Sequence, residues 1–135
     1  MTADREIIKS AAVALLDTLA EEHSLKHQDV YARRYVLTAP GGAPLEVMFE
    51  RGPTSRPNLW VHAKAAGSLT GKLSPASELR SKTGKTGKVN YGRHSALEKM
   101  PQLGAADLIC LAPASLAELG AILDQLLAAS AAGGV

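Results

Sequence analysis

The chemistry-bearing residues cluster in two stretches of the chain. Residues 78–95, ELRSKTGKTGKVNYGRHS, carry Arg80, Lys82, Lys85, Lys88 and Arg93 with no acid after Glu78, and include the string Gly84-Lys85-Thr86. A nucleotide-triphosphate loop needs a glycine, four residues and then Gly-Lys-Ser/Thr, between a buried strand and a helix. The position of that first glycine is Leu79, and Gly71-Lys72 is followed by Leu73, so neither lysine belongs to such a loop. What remains is a Gly/Thr/Lys segment whose ammonium groups recur at every third residue and whose backbone is open to close approach by phosphates. Arg51, Arg56 and Lys64 extend the cationic surface, and Tyr91 offers a ring for stacking.

The second stretch alternates. In residues 45–50, LEVMFE, Leu45, Val47 and Phe49 face one way and Glu46, Met48 and Glu50 the other. In residues 58–64, NLWVHAK, Leu59, Val61 and Ala63 oppose Trp60, His62 and Lys64. Glu46, Glu50, Trp60, His62 and Lys64 are thus expected on one sheet face, joined by Tyr31, Arg33 and Tyr35 if the register allows. A polar face is the ordinary solvated side of an antiparallel sheet. Aromatics interleaved with cations are also the ingredients of a nucleic-acid stacking surface.

Other reactive residues have plainer readings. His23-x-x-x-His27 would share a helix face and chelate a metal, but only Glu22 or Asp29 stands near as a third ligand. Histidines at a helix C-terminus are favoured by the dipole, so no metal is expected. Cys110 sits in the apolar run DLICLA and reads as a small buried side chain. Ser95 follows His94 and reads as a helix N-cap.

These groups must be positioned by a modest set of elements. Ile7, Ile8, Ala11, Ala12, Leu15, Leu16 and Leu19 predict a helix over residues 3–22. Residues 29–38, 45–50, 58–64 and 107–112 read as strands, the first three as an antiparallel meander. Ser95 to Glu98 resembles a capping box opening a short helix before Pro101, and Ser115 to Glu118 a second one opening the C-terminal helix. The expected class is α+β in the order α-β-β-β-α-β-α, with a three-stranded meander, a fourth strand and flanking terminal helices. The 135 residues fit one domain, with a flexible basic loop at about 65–94 and a frayed tail at 130–135.

The formal charge of +2 conceals a split. Residues 51–99 hold ten cations against Glu78 and Glu98, while the remainder is acidic. Such a basic region attracts anions. One cysteine excludes an internal disulfide framework and a cysteine-cluster zinc site. No apolar run is long enough to span a bilayer, so a cytoplasmic location without a membrane partner is expected.

The element order resembles the core of the restriction-endonuclease-like PD-(D/E)xK proteins. The resemblance implies that Glu46 or Glu50 matches the first metal-binding acid, Lys64 the lysine and Glu22 the accessory acid. His62 stands where that family has Asp or Glu, which removes a hard oxygen ligand for a divalent metal. The expected function is therefore binding of nucleic acid, DNA foremost, through the loop at 80–93 and without a cofactor. The alternatives are a divergent metal-dependent nuclease and an antitoxin-like or immunity-like module that binds a protein partner or a second copy of itself.

Overall fold

The computed structural model describes residues 2–28, 30–79 and 91–135. Helix α1 (Thr2–Leu19) buries Ile8, Ala12 and Leu16, spaced four residues apart on one face. It ends because the chain straightens: β1 (Ala20–Glu22) pairs antiparallel with β2 (Ala32–Leu37), placing Ala20 opposite Leu37. Next come β3 (Leu45–Glu50), β4 (Leu59–His62), β5 (Lys72–Ser74), β6 (Leu108–Leu111) and α2 (Leu116–Ala131). The strands form one antiparallel sheet in the order β1-β2-β3-β4-β6-β5. The class is α+β, with helices at both ends of the chain and the meander β2-β3-β4 at the middle of the sheet.

The sheet carries a core cluster on each face. Tyr35, Leu37, Leu45, Val47, Phe49, Leu59 and Val61 pack against α1 and α2 in the larger core. On the opposite face Ala32, Met48 and Leu108 meet Ala96, Leu97, Met100 and Leu103, with Trp60 and Tyr91 against them. This second cluster roofs part of the face expected to be solvated. Its cover, residues 91–106, is built from a 3-10 turn (Ser95–Leu97) and further turns.

At the chain's end, Ser115 Oγ accepts the Glu118 amide at 3.1 Å, as the capping-box pattern requires, and Leu119, Ile122, Leu123 and Leu126 are buried. The tail expected to fray from residue 130 instead begins with a buried serine. Ser130 Oγ donates to the Ala43 carbonyl at 2.6 Å and accepts the Ala39 amide at 2.8 Å, tying α2 to the turn between β2 and β3. Gly42 makes this possible, since a Cβ there would stand 2.6 Å from the Ser130 carbonyl oxygen.

Several expectations are corrected. The first helix stops at Leu19, so His23 and His27 lie beyond it and share no helix face. The segment at 65–94 is not one loop: it contains β5 and a 3-10 turn (Ala76–Glu78), while residues 80–90 lie outside the described residues. The element after Ser95 is a 3-10 turn capped by His94, whose Nδ1 accepts the Ala96 amide; Ser95 Oγ accepts from Gln28 instead.

Candidate functional site

Cross-strand registry puts Arg34, Met48, Trp60, Cys110 and Lys72 in one row across the second face. Residues 91–106 roof the Met48 side of that row. The other side opens as a cleft of about 460 Å³ lined by Arg56, Asn58, Trp60, Lys72, Cys110 and the Thr70–Gly71 turn. Glu50 fixes one wall: its carboxylate accepts the Trp60 indole N–H at 2.6 Å and the Asn58 amide at 3.0 Å. Gly71 allows β5 to approach, because a Cβ there would press on the Cys110 carbonyl and lie 2.9 Å from Leu111 Cδ2. Burial, helped by Glu50, pushes the Cys110 thiol up to about 11 against the opposing effect of Lys72 and Arg56. The thiol is neutral at physiological pH and is no nucleophile there.

Two residues along β5, the edge strand is tied to the roof. Arg93 Nε donates to Ser74 Oγ at 2.9 Å, and Nη2 donates to the carbonyls of Ser74 at 2.6 Å and Ala106 at 2.7 Å. The Arg93 side chain therefore holds the two ends of residues 75–92 together at β5. Arg80, Lys82, Lys85 and Lys88 lie outside the described residues. Arg93, expected as a phosphate contact, gives its donors to this tie, and the Tyr91 hydroxyl donates to the Gly104 carbonyl.

The remaining expected residues separate. Glu46, Trp60 and His62 do share a face. Lys64 has left the strand for a 3-10 turn (Ala63–Ala65) and is exposed. Arg33 and Tyr35 face the opposite side, opposite Phe49 and Val47, and Arg34 takes the place expected for them. The Tyr35 hydroxyl donates to Asp17 at 2.6 Å; burial and that carboxylate raise its pKa. Tyr31 is exposed in the turn before β2. Arg51 lines a groove with Glu6 and Asp17 of α1, away from the cleft that Arg56 lines.

Glu46 is occupied. Its Oε1 accepts the amides of Gln102 at 2.7 Å and Leu103 at 3.0 Å, and its Oε2 lies 2.6 Å from His23 Nε2. The Nδ1 of His23 accepts the Leu25 amide at 3.0 Å, which leaves the ring proton on Nε2, aimed at the carboxylate. All four histidines use Nδ1 in this way: His27 accepts from Arg34, His62 from Lys64 and His94 from Ala96. Burial lowers the pKa of His27, opposed by Glu22, and that of His62, reinforced by Lys64 and opposed by Asp107. Glu22 lies 3.7 Å from His27 Nε2, and Asp29 is outside the described residues. Among the described residues no three His, Cys, Asp or Glu side chains stand together to hold a metal ion.

The residues missed in the sequence are Asn58, Thr70, Gly71, Lys72 and Cys110 as cleft walls. Only a Lys72–Cys110–Trp60 registry would have found them, and β5 has no apolar alternation to announce it. The chain matches no protein-family model, no curated protein and no solved structure.

Proposed function

We propose that this protein binds nucleic acid through phosphate contacts from the basic segment 75–92, with Arg56 and Lys72 continuing the cationic surface on the sheet. The observation that carries the reading is the Ser74–Arg93 tie. It holds together the two ends of the sequence segment that carries Arg80, Lys82, Lys85 and Lys88, which themselves lie outside the described residues. Cations without neighbouring acids gain most from a polyanion, because each phosphate contact releases condensed counterions.

The nuclease alternative asks Glu46 or Glu50 to turn toward a metal. Glu46 is committed to two backbone amides and His23, and Glu50 to the Trp60 indole and the Asn58 amide, which favours binding without cleavage. The test is affinity for duplex DNA as a function of salt. Four phosphate contacts give a logarithmic slope of about −3.6, and replacing Lys82, Lys85 and Lys88 with Ala flattens it by about 2.7. An unchanged slope in the triple variant removes the segment from the interface. Absence of binding by either protein removes the reading.

A further inference from the structure

We infer that the cleft between β4, β6 and β5 takes one unpaired nucleotide of a single-stranded nucleic acid, its base against Trp60 and its phosphates on Arg56 and Lys72. The inference rests on the nucleic-acid reading and adds the strandedness of the ligand. The cleft holds about 460 Å³, within the roughly 300–1,000 Å³ of small-molecule sites.

The walls divide by chemistry. Trp60 is partly buried against Met48 and the roof, and its N–H is held by Glu50 at 2.6 Å. The indole is therefore fixed and its polar edge satisfied, so it offers an incoming group π surface rather than a hydrogen bond. Arg56 and Lys72 are exposed cations on the same cleft, and the Cys110 thiol between the Trp60 and Lys72 positions carries no charge at neutral pH. Glu50, whose carboxylate holds Trp60 and Asn58, is an acid beside this wall and opposes phosphate there, while Arg56 and Lys72 favour it. An aromatic surface flanked by cations is the pattern that reads single strands without sequence preference.

Concavity selects the unpaired state. A side chain that enters a duplex protrudes as a wedge between base steps. Trp60 instead lies in a recess, so the base has to come to it. In a duplex only base edges are presented, in the grooves. A base of a single strand reaches the indole without the cost of unpairing.

Trp60 is the only tryptophan of the chain, so its fluorescence reports on this cleft alone. The full chain is titrated with a short oligothymidylate, an oligouridylate, an abasic oligomer of equal length and a duplex, following both fluorescence and anisotropy. The expected result is quenching by the oligomers that carry bases and none by the abasic oligomer or the duplex. The two base-bearing oligomers show whether DNA or RNA is preferred. Trp60→Ala lowers single-strand affinity by about fivefold to 150-fold and narrows its gap from duplex. Because Trp60 also packs against the roof, the exposed Lys72→Glu variant is measured beside it and loses single-strand affinity while retaining its helical circular dichroism. Equal, salt-dependent affinity for single strand and duplex with unchanged fluorescence overturns the inference and leaves the nucleic-acid reading standing. No binding to any of the four overturns both.

Discussion

The Nε2–H of His23 donates to the Glu46 carboxylate at 2.6 Å, and both side chains are buried. The pair joins the segment after β1 to β3, and the same carboxylate holds the start of the 102–103 turn. An acid that alternation places on a solvated face thus works as a three-way tie between the sheet and its roof.

Removing that tie leaves three donors without an acceptor. Glu46→Ala is expected to cost about 3–5 kcal/mol in urea unfolding. Glu46→Gln keeps one carbonyl oxygen for the two amides but sets an NH₂ against His23, and should cost about 1–3 kcal/mol. A double-mutant cycle with His23→Ala should be strongly non-additive. A change below about 1 kcal/mol for Glu46→Ala would show that the pair is not structural.

The strands of the meander were legible because period-two alternation survives in Leu45, Val47 and Phe49 and in Leu59 and Val61. The burial of Glu46 and Met48 was not, because it depends on Ala96, Leu97, Met100 and Leu103 arriving from more than forty residues away. Those four are carried by turns, which have no sustained period. β1 was hidden because Ala20 to Glu22 extend the helical pattern, and only pairing with β2 straightens them. β5 was hidden because Lys72 and Leu73 are both exposed on an edge strand, so no alternation marks it. The cleft inherits that blindness, since one wall is β5. No helix among the described residues is long and apolar enough to cross a membrane, in keeping with the hydropathy of the chain.

Stability should fall on mild acidification. His27 accepts the Arg34 amide at Nδ1 and lies with its ring centroid 5.1 Å from that of Tyr35, while His62 accepts the Lys64 amide. Both pKa values are lowered in the folded chain, burial being the largest cause. The unfolded chain therefore binds these protons more readily. The contribution is fully present above about 6.5 and is lost as pH falls through that value toward the folded pKa. Thermal midpoints should drop between about pH 7.5 and pH 5.5, and the drop should shrink in the His27→Gln/His62→Gln variant. An equal drop in that variant would assign the effect to other groups.

Gly71 sets the approach of β5. An alanine Cβ would press on the Cys110 carbonyl, and backbone cannot yield as a flexible side chain does. Gly71→Ala should destabilise the chain by about 1–3 kcal/mol. It should also speed amide exchange at Lys72 to Ser74 more than at β2 and β3, since β5 is the edge that must move. Unchanged exchange there would mean that β5 holds its place without the close contact.

Arg93 separates an anchor from a phosphate contact. Its guanidinium donates to Ser74 Oγ and to the carbonyls of Ser74 and Ala106, joining β5 to both ends of the roof. Hydrogen bonds to a charged group contribute more than neutral ones, and Arg93→Ala is expected to cost roughly 2–3 kcal/mol of stability. Neutralising a phosphate would also lend the residue about 0.9 of logarithmic salt slope, whereas an anchor lends none. The expected result is weaker nucleic-acid binding at every salt concentration with the slope of the parent chain, because the base of the basic segment is loosened while its lysines remain. Arg93→Lys should recover little of the loss, since one ammonium group cannot reproduce the fork that reaches Ser74 Oγ and the carbonyls of Ser74, Leu103 and Ala106. A slope flattened by about 0.9 in Arg93→Ala, with stability unchanged, would transfer the residue from the tie to the phosphate-contacting set.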